Sequence, residues 1–148
     1  MARKLFLFLA MAIAALPLAG QAEGPTAAAT HVWIGEDTSG AGNMAGFLTL
    51  QNLSSQALTL TSVSSPDFDS VMIEGQAAPA GKDEMQPVAK LTIPAHQDVV
   101  FAPDGYKLMF TKPVKRLLEG DLVTLILTFS DHSSLTIMAQ VRHDQPQS

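Results

Sequence analysis

Residues 122–129 read Leu-Val-Thr-Leu-Ile-Leu-Thr-Phe, and residues 134–141 read Ser-Leu-Thr-Ile-Met-Ala-Gln-Val. In the first stretch Val123, Leu125, Leu127 and Phe129 recur at a period of two, and in the second Leu135, Ile137, Ala139 and Val141 do the same. Side chains of a strand point alternately to opposite faces, so this pattern predicts two half-buried β-strands. Between them, Ser130-Asp131-His132-Ser133 is turn chemistry. The rhythm extends backwards through apolar runs at about 31–35, 46–52, 57–64, 70–75, 85–93, 98–102 and 106–110. Gly, Pro, Asp or Ser punctuates each gap, as in Ser64-Ser65-Pro66, Pro103-Asp104-Gly105 and Glu119-Gly120-Asp121. Short strands at such spacing predict a single all-β domain of two sheets packed face to face. No long helical stripe competes; Val114 to Glu119 has room for one helical turn at most. Met138, on a late strand, is expected to fill a gap in the core.

Ahead of this domain, Arg3 and Lys4 precede an unbroken apolar run from Leu5 to Leu18, and Gly20-Gln21-Ala22 follows with small residues. That is the form of a secretory signal peptide over 1–22, too short for the ~20 residues of a membrane span. No Cys follows the run, which argues against a lipid anchor. Residues 23–30 read as a flexible lead-in, 31–142 as the folded domain and 143–148 as a tail. Removal of Arg3 and Lys4 lowers the basic count from 9 to 7 against 14 acidic residues, a net charge of −7. Such a surface repels a phosphate backbone, so nucleic acid is not an expected partner.

The 148 residues contain no Cys, which excludes thiolate metal sites and Cys nucleophiles and leaves His and Met for soft-metal chemistry. Asp131, His132 and Ser133 are the residue types of a hydrolase triad, but consecutive residues cannot converge on one substrate atom. They read as a polar turn. Lys112, Lys115 and Arg116 read as a solvated loop face, and His31, His96, His132 and His143 are scattered over unrelated segments. An enzyme is not expected.

The most informative segment lies between Val71 and Phe110. It holds Val71-Met72-Ile73-Glu74, Met85-Gln86-Pro87-Val88, Ile93-Pro94-Ala95 and Pro103-Asp104-Gly105-Tyr106-Lys107-Leu108-Met109. With Trp33, the run Gly46 to Asn52 and the Glu119-Gly120-Asp121 turn, it resembles the periplasmic copper chaperones of the PCu(A)C family across about residues 31 to 141. The resemblance implies a cupredoxin-like Greek-key β-sandwich, a periplasmic location and non-enzymatic carriage of Cu(I). It also implies an acceptor such as a cytochrome oxidase assembly protein. In that family two His and two Met hold the ion, spaced as a His, ten residues, a Met, twenty-one residues, then His-x-Met. Aligned on Met85 and Met109, the two His positions fall on Glu74 and Lys107. Both thioethers are kept and both imidazoles are replaced.

Strand alternation groups these positions without the family. Lys107 and Met109 share one face, and Tyr106, Leu108 and Phe110 the other; Met72 and Glu74 share a face, with Val71 and Ile73 opposite. Thioethers suit Cu(I), whereas an ammonium has no lone pair to give. Two readings follow. One is a Cu(I) carrier using Met85 and Met109 with Met72. The other is a metal-free binding or adaptor module in which a Glu74–Lys107 salt bridge occupies the place of the ion.

Overall fold

The computed structural model describes residues 26–37, 40–76 and 85–143. The expected signal peptide lies outside the described residues, as does all of the tail but His143. Ten strands and no helix make up the described chain: β1 (Ala27–Gly35), β2 (Asn43–Asn52), β3 (Leu58–Ser64), β4 (Phe68–Gln76), β5 (Met85–Pro87), β6 (Leu91–Ile93), β7 (Asp98–Phe101), β8 (Lys107–Pro113), β9 (Leu122–Phe129) and β10 (Ser134–Arg142). The two stretches that predicted the class are β9 and β10, paired antiparallel with Leu135 opposite Leu127 and Ala139 opposite Val123.

All strands but one lie on a single hydrogen-bonded path, β5-β4-β8-β2-β1-β10-β9-β3-β6. The two halves of the sandwich are therefore parts of one curled sheet rather than separate sheets. They join where β1 runs parallel to β10, with Ile34 opposite Val141. β2 changes partner along one edge: Asn43 to Gly46 pair with β8, and Leu48 to Gln51 with β7. Ile34, Leu60, Ile93, Leu108, Phe110 and Val123 are fully enclosed on the inner face. Burying each such side chain contributes roughly 1.5–3 kcal/mol, so the enclosed face dominates the stability of a domain without disulfides.

Three local features differ from the sequence reading. β1 begins at Ala27, inside the stretch read as lead-in, because Ala27 to Thr30 pair with Thr49 to Asn52. The apolar run over 85–93 is split: β5 adds to β4, β6 adds to β3, and the Val88-Ala89-Lys90 link carries the chain from one end of the path to the other. Val114 to Glu119 forms no helix, and Leu117 alone is buried there.

Two close packings fix the inner layer near β8. Gly46 lies against the Phe110 ring, which occupies the space a Cβ would need. A Cβ on Gly75 would fall 2.7 Å from the Tyr106 ring. At the far end of β2, Asn52 is the sole buried polar side chain among the described residues. Its amide donates to the carbonyls of Gln56 at 2.8 Å and Ile93 at 2.9 Å, while its oxygen accepts from the Ser54 N–H at 2.9 Å.

Candidate metal site and its ion pair

β4 and β8 are adjacent and antiparallel, and their register sets the site. Ile73 opposite Leu108 and Val71 opposite Phe110 belong to the inner face, with Ile73, Leu108 and Phe110 buried and Val71 packed on the core. The intervening pairs, Met72 opposite Met109 and Glu74 opposite Lys107, belong to the outer face. The division by alternation expected for these strands is the one found, and Tyr106 packs on the core as expected.

Lys107 Nζ stands 3.8 Å from Glu74 Oε2. The distance is inside ion-pair range and too long for a hydrogen bond. The two side chains retain 26% and 20% of their exposure, so each is mostly shielded by neighbours yet still wetted. At that exposure the pair is worth no more than ~1 kcal/mol. Its chemical consequence is larger than its energy. A cation already sits between the two strands, and the ammonium offers no electron pair to a metal.

Met72 and Met109 form the next outward pair along the two strands. Met72 is 41% exposed and Met109 is half-buried, directly across from it. Met85 opens β5 opposite Gln76, two residues along β4 from Glu74; its side chain lies outside the described residues. Met72 also borders a groove of about 300 Å³ between β3 and β4, lined by Val63, Val71, Ile73 and Val88. The remaining methionines stand apart. Met44 is buried opposite Phe110. Met138, expected in the core, is 51% exposed, because Ala139 takes the inward position on β10. There the Thr124 hydroxyl donates to its sulfur at 3.4 Å.

The imidazoles do not gather. His31 sits exposed at a bulge of β1, His96 and His132 are exposed in turns, and His143 Nδ1 lies 3.0 Å from Glu36 Oε2. Among the described residues no three His, Asp or Glu side chains come together as a metal group. Asp131 accepts from the Ser133 hydroxyl and, at 3.0 Å, from its N–H, which closes the β9–β10 turn. The Ser133 hydroxyl, ahead of its N–H, holds the Asp131 carboxyl below its ordinary pKa.

One feature of this face escaped the sequence reading. Trp33 and Phe47 are cross-strand partners with ring centroids 4.7 Å apart, each 8% exposed. Trp33 is opposite the exposed Gln140, and Phe47 lies two residues from Ala45, the partner of Met109. The rings are thus buried apart from the main core cluster, on the face that carries Lys107 and Met109. The available signal was adjacency: Trp33-Ile34 and Phe47-Leu48 are each two consecutive large apolar residues on a strand, and one of each must face outwards.

The family model described as "Putative lipoprotein LpqE-like" matches residues 27–141. Among solved structures, the chain is similar to a copper-bound PCuAC domain from PmoF2, at 21% identity over 81% of this chain and 95% of that one, with a TM-score of 0.67. The apo PCuAC domain from PmoF1 matches at 23% identity, over 82% and 96%, with a TM-score of 0.67. The Cu(I) form of DR1885 from Deinococcus radiodurans matches at 25% identity, over 85% and 84%, also at 0.67. These likenesses establish the cupredoxin-like PCuAC fold. No curated protein matches the chain.

Proposed function

The chain belongs to the LpqE-like family, and we propose that it is a non-enzymatic, exported module on the copper-chaperone fold in which the Glu74–Lys107 ion pair replaces two copper ligands. The observation that carries this reading is the 3.8 Å approach of Lys107 Nζ to Glu74 Oε2 at directly opposed positions of β4 and β8. The alignment that places the family's two imidazoles at 74 and 107 requires these side chains to be close enough to touch one ion. Their contact supports that alignment. Replacement by opposite charges, rather than by unrelated residues, supports a paired exchange that fills the metal position. The donor set does not fit the family's two-His, two-Met arrangement: Glu is a hard anion and Lys a cation. Periplasmic residence rests on the Arg3-to-Ala22 leader and on the resemblance. The resemblance supports an adaptor role with a copper acceptor or respiratory oxidase assembly protein as partner.

A second reading has its own support. Met72 and Met109 face each other across adjacent strands, and with Met85 they would offer Cu(I) three neutral thioethers. Competition for Cu(I) against a chromophoric chelator separates the two. The ion-pair reading expects no one-to-one complex that competes with a weak chelator. One-to-one binding that weakens in Met72→Leu, Met85→Leu and Met109→Leu would instead establish thioether carriage.

A further inference from the structure

We propose that Gly75 is a positioning residue for the metal position: its missing side chain sets the spacing of β4 from both of its neighbours. This rests on the reading above, that Glu74 and Lys107 occupy the place of the ion. Gly75 follows Glu74 on β4 and pairs with Gln86 of β5, one residue from Met85. It also meets the ring of Tyr106, the residue before Lys107. Gly75 is buried, and its φ is not positive, unlike those of Gly40, Gly42 and Gly120. Backbone freedom is therefore not what requires a glycine here. A glycine inside a strand weakens it and marks a close approach of other groups.

The approach comes from two neighbours. A Cβ on Gly75 would fall 2.7 and 2.8 Å from two carbons of the Tyr106 ring and 3.2 Å from a Val88 methyl. The ring packs on Phe101, itself 3% exposed, with centroids 5.9 Å apart. Val88 is tied through its N–H, which donates to the Ile73 carbonyl at 2.7 Å. To reach ordinary contact at 3.4 Å, the ring would have to retreat by about 0.7 Å. Metal–ligand distances tolerate only about 0.2 Å, so a push of that size decides whether a ligand set fits.

The same hydrogen bond shows which pairs would feel the push. The Ile73 carbonyl points away from β8, so Ile73 and Leu108 are a non-hydrogen-bonded pair. Their neighbours, Met72–Met109 and Glu74–Lys107, are then the hydrogen-bonded pairs of the ladder. Glu74–Lys107 is the last pair before Gly75. Displacing Tyr106 acts on the Lys107 backbone one peptide away, and displacing Val88 acts on Pro87, the β5 partner of Glu74.

Two measurements test this. The first needs no metal: amide hydrogen exchange by NMR on the wild type, Gly75→Ala and Asn52→Ala. In Gly75→Ala the Glu74 and Lys107 amides should exchange at least tenfold faster relative to those of Leu125 and Leu127 on β9, as local opening requires. Asn52→Ala, a destabilising change at the far end of β2, should show no such preference. The second is Cu(I) competition in the Glu74→His/Lys107→His background. There Gly75→Ala should lower affinity at least tenfold, and adding Tyr106→Leu, which vacates the place of the ring, should regain part of the loss. Asn52→Ala should leave that affinity within about twofold. Uniform acceleration of exchange in Gly75→Ala would overturn the proposal. So would an unchanged affinity in a double variant that binds copper. Selective exchange together with a double variant that binds no copper would overturn the copper reading, and with it the metal role of Gly75.

Discussion

Lys107 shows how little of a residue's role lies in its own energy. Its ion pair with Glu74 is partly wetted, so Glu74→Gln or Lys107→Met should change unfolding free energy by less than about 1 kcal/mol; urea denaturation measures this directly. Gly75, the next residue along β4, behaves oppositely. A methyl group there would press on the Tyr106 ring at 2.7 Å, and overpacking of that kind typically costs ~1–3 kcal/mol. Gly75→Ala should therefore shift the urea midpoint clearly, although it removes no contact. The charged pair could be anticipated from sequence because strand parity and a known motif spacing both point to positions 74 and 107. The role of Gly75 could not, since the ring that fills its place comes from residue 106 on another strand.

At the level of elements, β9 and β10 were the easiest to read, because each alternates over its full length with one partner face in water. β1 and the 85–93 run were harder for a physical reason. Ala27 to Thr30 lack large apolar side chains and are held in the sheet by backbone pairing to β2, which leaves no hydrophobic signal. The 85–93 run mixes apolar residues with Gln86, Lys90 and Thr92, and it serves two distant strands through the Val88 to Lys90 link. Met138 and Trp33 were misjudged or missed through the same rule, parity on a strand, which here outranks hydrophobicity. Asn52 joins β2 to the segments around Gln56 and Ile93 through its buried amide. Its replacement by Ala leaves the carbonyls of Gln56, Ile93 and Pro94 and the Ser54 N–H without that partner. Asn52→Ala should then cost on the order of 2–4 kcal/mol, since each buried orphan costs ~1–3 kcal/mol; the loss should appear as one lowered cooperative transition in calorimetry.

The whole molecule has the PCuAC-type fold, and on the function proposed above the Glu74–Lys107 pair fills its metal position. Among the described residues no cluster of three acidic or His side chains forms, and Ca²⁺ takes six to eight oxygens. Millimolar Ca²⁺ or Mg²⁺ should leave the melting temperature unchanged, and a reproducible rise would mean that an acidic site exists. We propose that Glu74 and Lys107 stand where the fold can hold Cu(I). The most direct test is a chelator-competition titration of Glu74→His/Lys107→His beside the wild type and each single variant. The double variant is predicted to bind one Cu(I) at least a hundredfold more tightly than the wild type, with each single variant gaining far less. A double variant that gains nothing, or a wild type that already binds as tightly, would mean that positions 74 and 107 are not the copper position.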